Sequence, residues 1–233
     1  MPTPSSQLRE RVRRLPGMDR LLPALEGLPP AYLVGGAVRD LLRDAAPLDL
    51  DVAIEGDARS AARAVADRLG SDLREYEAFG TADVILPDEI FHFATTRDEA
   101  YDAPGALPRV TPTSLAEDLR RRDFTVNAMA VGLTGDDVGH LYDPHGGLGD
   151  LEAQTIRVLH DHSFRDDPTR LLRAVRYATR LRFTLEPETE RLAREAVAAD
   201  ALSTVSGARI GADLMLVLSE EEVGRAIELI REL

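Results

Sequence analysis

Two aspartates one residue apart, Asp49 and Asp51, follow a Gly-Gly pair by about a dozen residues in "YLVGGAVRDLLRDAAPLDLDVAIEG". Successive side chains of a strand point to opposite faces, so in "DLDVAI" the carboxylates share one face, about 6.6 Å apart, and Leu50, Val52 and Ile54 take the other. Carboxylates held that close repel unless a cation lies between them. Hard oxygen ligands of this kind suit Mg²⁺, which usually keeps one or two carboxylates and takes its other oxygens from water and substrate phosphates. Upstream, Tyr32-Leu33-Val34 reads as a short strand, Gly35-Gly36 as a turn with no Cβ to hinder close approach, and Ala37 to Leu42 as a helix start. Free N–H groups there attract anions, and Arg39 one turn in adds positive charge. A Gly-Gly pair alone is more often a plain turn; Arg39 and the Asp pair at this separation favour a phosphate site beside a metal site.

Two more groups could carry chemistry. In "RRRDFTVNAMA", Arg122 beside Asp123 offers a phosphate clamp and an acceptor for sugar hydroxyls, with Asn127 one turn on to brace the loop. An exposed ion-pair cluster capping a helix would look the same. In "DDPTRLLRAVR", Asp167 before Pro168 reads as an N-cap with proline at the first helical position. Asp167 and Arg170 then share a face that Arg173 and Arg176 continue, and Leu171, Leu172, Val175 and Ala178 form the buried side. An acceptor beside a planar five-donor fork can read a nucleobase edge, and arginines further along can meet a triphosphate. A capped structural helix with a solvated basic face is the alternative.

The elements that must hold these groups follow from pattern. After a helical N-terminal arm, the strand, glycine turn and helix lead into "DLDVAI". A helix with Asp57 as N-cap, Ala61, Ala62, Val65 and Leu69 on one face and Gly70 at its end comes next. "ADVIL" and "EIFHFATT" read as antiparallel strands. "YDAPGALPRVTPTS" reads as a loop of more than a dozen residues, long enough to be functional. "LAEDLRRRDFTVNAMAVGL" reads as helix then strand, and "YDPHGGLGDLEAQTIRVL" as turns closing the first domain. From Asp166 the chain reads as helical, with breaks near Leu185-Glu186-Pro187 and Ser206-Gly207.

Composition bounds the rest. With 44% hydrophobic and 30% charged residues the chain is globular, and no apolar run approaches the roughly 20 residues of a membrane span. No apolar stretch follows the N-terminal charges as in a signal peptide, so a soluble cytoplasmic protein is expected, with no membrane partner. Zero cysteines exclude disulfides, thiolate metal sites and a Cys nucleophile. All 28 basic residues are arginine, which excludes lysine chemistry. A net charge of −13 argues against binding nucleic acid by bulk electrostatics, although "RDDPTRLLRAVRYATRLR" concentrates six arginines against two aspartates.

Together the groups resemble the bacterial class II tRNA nucleotidyltransferase and poly(A) polymerase family, which includes the CCA-adding enzymes. "LVGGAVRDLL…DLD" is similar to its first motif, "TTRDEAYDAPGALP" to its flexible loop, "EDLRRRDFTVNAMA" to its ribose motif, "DPHGGLGDL" to its middle motif and "DDPTRLLRAVRYATRL" to its nucleotide-selecting motif. The resemblance implies an α/β (α+β) fold: a nucleotidyltransferase head of mixed β-sheet and helices at residues 1–158, then an all-helical neck at 159–233 with the tail domain absent. It further implies that Asp49 and Asp51 hold Mg²⁺ and that Gly35, Gly36 and Arg39 cradle phosphates. Arg122 and Asp123 would place the sugar and phosphates of CTP or ATP. Asp167 and Arg170 would select the base, and Arg173 and Arg176 would complete the pocket. The implied reaction adds C and/or A to the 3′ end of tRNA. Poly(A) synthesis on other RNA, or a non-catalytic nucleotide- or RNA-binding module of the same fold, remains open. Arg97, Glu99 and Tyr101 resemble the element the family uses when switching to A, which favours ATP incorporation.

One residue departs from the family pattern. His92, in "EIFHFATTR", stands where a third acidic residue is expected. A neutral imidazole can still ligate a metal, but it lowers the negative charge of the site. Either catalysis rests on Asp49 and Asp51, or the site is weakened or tuned to another metal. His140, His145, His160 and His162 show no ligand spacing that links them to the Asp pair.

Overall fold

The computed structural model describes residues 5–77 and 80–233. The chain forms two compact units whose segments interleave in sequence: Met1–Asp98, Thr111–Arg121 and Asn127–His145 make up the first, and Glu99–Val110, Arg122–Val126 and Gly146–Leu233 the second.

In the first unit, helices α1 (Ser5–Arg13) and α2 (Met18–Ala24) precede strand β1 (Ala31–Val34), helix α3 (Gly36–Leu42), strand β2 (Leu50–Ile54) and helix α4 (Ala58–Leu69). Strands β3 (Asp72–Tyr76), β4 (Thr81–Ile85) and β5 (Ile90–Thr95) follow. Strands β6 (Arg97–Ala100) and β7 (Arg109–Pro112) make a separate two-stranded sheet, ahead of α5 (Leu115–Arg120), β8 (Ala130–Gly132) and β9 (Leu141–Tyr142). The main sheet runs β3-β4-β5-β2-β1-β8-β9 and is mixed, because β2 pairs parallel with β5 while the other neighbours are antiparallel.

Burial follows the expected alternation on one side of β2, where Leu50, Val52 and Ile54 are at most 2% exposed. The opposite side is covered further along. Ala53 shares the face of Asp51 and packs with Tyr32, Val34, Ala130 and the α5 residues Leu115 and Leu119. The strand is therefore open to solvent on that face only at its N-terminal end. Asp57 caps α4 by accepting from the N–H groups of Arg59 and Ser60, and Gly70 ends the helix in the left-handed conformation at φ 60°. Loss of such a cap typically costs about 1 kcal/mol, so Asp57→Ala is expected to lower the thermal midpoint by about 2–4 °C, measurable by circular dichroism.

In the second unit, α6 (Gly147–Glu152), β10 (Thr155–Ile156), α7 (Ser163–Asp166), α8 (Arg170–Leu181), β11 (Thr184–Leu185), α9 (Pro187–Ala198), α10 (Gly207–Leu218) and α11 (Val223–Glu232) follow one another. Helix α8 presents Leu172 and Val175 to Val217 of α10 and Ala226 of α11, one small apolar cluster of this unit. The helix breaks fall where expected, with Glu186 and Ser206 as N-caps.

Four expectations are corrected. "YDAPGALPRVTPTS" is not all loop, since β7 lies within it; the Arg-Val-Thr run has the β-branched composition that favours a strand once a partner is available. "YDPHGGLGDLEAQTIRVL" contains α6 and β10 rather than turns alone, the helix starting at Gly147 behind a left-handed Gly146. The region after Asp166 is not wholly helical, because β11 pairs parallel with β10. Finally, α8 begins at Arg170, so Asp167 lies in the turn before it.

Candidate active site

In the first unit, β2 carries Asp51, and Asp49 sits in the bend that leads into it; both are exposed. The donors are hard oxygens on an open stretch of chain, which suits a divalent ion that keeps coordination positions for water and phosphate oxygens. Among the described residues, no group of three or more His, Cys, Asp or Glu side chains gathers as a metal cluster.

His92 lies beside this pair. It sits opposite Asp51 in the parallel β2–β5 ladder and opposite Asp83 in the antiparallel β4–β5 ladder, so Asp83, His92 and Asp51 form one row on one face of the sheet. The imidazole Nδ1 is 2.8 Å from Oδ1 of Asp83. A carboxylate on one ring nitrogen orients the ring and directs Nε2 away from it. The sequence alone had no means of pairing Asp83 with His92, because the register of β4 against β5 decides it.

Gly35 takes φ 67° and ψ −130° at the N-cap of α3, a backbone that favours glycine. Arg39 is buried rather than offered to solvent. Its Nε and Nη2 donate to the two oxygens of Asp40, each at 2.9 Å, and its Nη1 donates to Oδ1 of Asn127 at 2.8 Å. A Cβ on Gly36 would lie 3.5 Å from Arg39 Nη2, so the guanidinium passes directly beside the glycine turn. Asp40 offsets much of its charge, and Asp40 and Asn127 together fix the guanidinium beside the glycine turn.

In the second unit, Asp123 is buried and both oxygens of its carboxylate are engaged. Oδ1 accepts from the N–H of Phe124 at 2.8 Å, and Oδ2 accepts from Nε of Arg173 at 2.9 Å and also from its Nη2. The Asp123 carboxylate drives the Arg173 pKa well above the ordinary arginine value. The structure therefore joins the ribose-type and base-type motifs through an ion pair, and Tyr177 lies against both ends of it, edge-on to Phe124 and beneath Arg173. Arg122, next to Asp123, is half-buried.

Asp167 accepts from the N–H and hydroxyl of Thr169 at 3.1 and 2.8 Å and from Arg209 Nη2 at 2.9 Å, all through Oδ1. Oδ2 takes no hydrogen bond among the described residues. Arg170 is buried, with Nη1 donating to Ser163 Oγ at 2.7 Å. Tyr101 closes the same neighbourhood: its phenol donates to Glu99 at 3.0 Å, and burial, then Glu99, pushes its pKa up to about 12. His160 is held below the ordinary histidine value by burial and by Arg170. Arg176 lies over the same Tyr177 ring as Arg173, its guanidinium carbon 5.9 Å from the ring centroid. Its Nε donates to Glu220 at 3.0 Å, and Arg180 binds the same carboxylate.

The Asp pair and the glycine turn thus lie in the first unit, and Arg122, Asp123, Asp167, Arg170 and Arg173 in the second. Asp83, Arg209, Glu220 and Tyr177 are the participants that sequence spacing missed: the first three meet their partners through sheet register or from distant segments, and Tyr177, one turn along α8 from Arg173, meets Phe124 from far along the chain.

The poly(A) polymerase head-domain family matches residues 31–157. The A-adding tRNA nucleotidyltransferase of Geobacter sulfurreducens is 46% identical over 199 residues, 85% of this chain and 23% of the relative. The CC-adding tRNA nucleotidyltransferase of Deinococcus radiodurans is 42% identical over 196 residues, 83% of this chain and 51% of that one. A tRNA nucleotidyltransferase crystallised with a primer tRNA and an incoming ATP analog superposes with a TM-score of 0.80 at 41% identity, over 87% of this chain and 57% of that one. The chain spans between about a quarter and a half of the length of these curated relatives.

Proposed function

The chain belongs to the poly(A) polymerase head-domain family, and from that premise we propose that it is the head and neck of a template-independent RNA nucleotidyltransferase, adding C and/or A to the 3′ end of tRNA from CTP or ATP. The same proposal takes residues 1–158 as the head and 159–233 as the neck, in a cytoplasmic protein. No helix among the described residues is long and apolar enough to cross a membrane.

The observation that carries the reading is Asp167. Three donors hold its Oδ1 and leave Oδ2 without a hydrogen bond among the described residues, three positions ahead of Arg170 in the chain. Cytosine and adenine both present an exocyclic amine, which such an oxygen accepts; guanine and uracil present a carbonyl there, which it repels. Arg122, next in sequence to Asp123, would meet phosphate or sugar oxygens of the nucleotide, and the Asp123–Arg173 pair supports this reading by anchoring the adjacent residue. Gly35 and Gly36 let phosphates approach the backbone, and Arg39 is oriented beside them by Asp40 and Asn127. Asp49 and Asp51 would hold Mg²⁺, which when bound aligns the primer 3′-oxygen with the α-phosphate and stabilises developing charge.

Extension of tRNA ending in the discriminator base, in C or in CC, each with labelled CTP or ATP alone, tests the reading and separates CC-addition from A-addition. No extension under any nucleotide or divalent metal would reject activity for this chain. His92 in place of an acid favours the second reading, a non-catalytic nucleotide-binding module, which predicts binding without turnover that survives loss of Asp49 and Asp51.

Arg170→Ala is expected to relax selectivity before it lowers turnover. A charge-assisted hydrogen bond of this kind is worth about 1.5–3 kcal/mol, or about ten- to a hundredfold in discrimination. Relative kcat/KM for CTP, ATP, GTP and UTP measures it, and an unchanged preference would return "DDPTR" to a purely structural turn.

A further inference from the structure

Arg209 belongs to none of the motifs above, yet it touches two of them. It lies in the first turn of α10, with its side chain 26% exposed. Nη2 donates to Asp167 Oδ1 at 2.9 Å, and Nη1 donates to the carbonyl of Gly105 at 2.8 Å. Gly105 lies in the loop between Tyr101 and Arg109, whose segment resembles the family's flexible loop.

The loop is seated closely at that point. Gly105 has φ +70°, its N–H donates to the carbonyl of Asp166 at 3.2 Å, and a Cβ there would stand 2.3 Å from Thr204 Oγ1 and 2.8 Å from the Thr204 carbonyl. Only glycine fits without displacing backbone. One guanidinium therefore bonds both the loop and the carboxylate, and the loop backbone bonds the residue before that carboxylate.

We propose that Arg209 is a specificity-determining positioning residue: by bridging Gly105 and Asp167 it fixes the oxygen that reads the base and makes that orientation depend on the seat of the loop. The inference rests on Asp167 being a base reader, as proposed above. The physical requirement is angular. A carboxylate discriminates an amine from a carbonyl only if its free oxygen is held in register with the base edge, and rotation about χ2 would carry it out. Thr169 restrains Oδ1 from its own turn, but only Arg209 ties it to a distant element among the described residues. The planar fork of arginine can serve two acceptors in divergent directions, whereas the ammonium of lysine is a point donor that reaches one of them well.

The test uses the whole chain in three single variants, Arg209→Gln, Arg209→Lys and Gly105→Ala, and the double variant Arg209→Gln with Gly105→Ala. Arg209→Gln should raise KM for the accepted nucleotide by about tenfold and reduce its preference over GTP and UTP by a similar factor, the size expected for one charge-assisted hydrogen bond. Turnover at saturating nucleotide should change less than KM. Arg209→Lys should fall between parent and Arg209→Gln. Gly105→Ala, which leaves Arg209 in place, should shift preference in the same direction, and the double variant should be little worse than either single one, because both break the same bridge.

A purely structural arginine would lower the thermal midpoint and depress all four nucleotides alike; that result, or effects of Arg209→Gln and Gly105→Ala that multiply, overturns the proposal. If the parent transfers no nucleotide, the reading of activity fails separately, and equilibrium binding of the four nucleotides to parent and variants carries the same comparison. Unchanged relative affinities in Arg209→Gln would then overturn the bridge.

Discussion

Transfer from both CTP and ATP falls by on the order of a thousandfold or more in Asp51→Ala, with the thermal midpoint shifted by no more than about 2 °C; this is the largest effect on activity expected of any single change. The two halves of the result have different causes. Asp51 is exposed, so its removal opens no cavity. Its neighbours on the strand, Leu50 and Val52, keep the core face intact. On the proposed reading chemistry is lost because Asp49 and Asp51 together would hold the ion against the reacting phosphate, and alanine leaves a single carboxylate to fix its position. Affinity for the nucleotide should change far less, since base recognition is assigned to Asp167 and Arg170. Single-turnover extension alongside equilibrium nucleotide binding separates the two quantities. Asp49→Ala should behave alike. Retention of transfer in either variant would remove the chemistry from β2.

The legible and illegible parts of this molecule differ in a consistent way. The Asp57 cap, the Gly70 stop, the apolar side of β2 and the breaks at Glu186 and Ser206 are local, set by residues within one turn of each other, and a sequence displays them directly. Helix α8 shows the limit. Its buried stripe was readable from spacing, but its first residue was not, because Asp167 accepts from Thr169 in a turn that mimics a cap. The short strands β7, β10 and β11 were missed for a related reason: two- to four-residue strands have no period to detect, and only the partner across the ladder makes them strands.

The same division runs through the site. Asp49, Asp51, Gly35 and Gly36 announce themselves by spacing, whereas the duties of the arginines do not follow from their positions on a helix. Arg170, Arg173 and Arg176 recur every three residues and look equivalent, yet they bind Ser163, Asp123 and Glu220 respectively. Each partner comes from a different segment. A guanidinium reaches far enough that its partner is chosen by tertiary packing, so a stripe of arginines predicts charge and not function.

Arg173 carries the largest expected effect on stability. The side chain of Asp123 is 7% exposed and that of Arg173 39%, so Arg173→Ala would strip a buried carboxylate of its arginine partner while the N–H of Phe124 stays in place. Breaking one side of a buried pair costs about 3–5 kcal/mol; with one partner partly solvated, the low end of about 3 applies, a fall in thermal midpoint of roughly 6–12 °C. The cost comes from the stranded charge more than from the lost attraction. Asp123→Asn combined with Arg173→Ala should therefore be more stable than Arg173→Ala alone, although it lacks more of the original pair. Urea unfolding of the parent, both singles and the double closes the cycle. A double variant as unstable as the sum of the singles would mean that Arg173 contributes through its contact with Tyr177 instead, and that the charge of Asp123 is relieved by other donors.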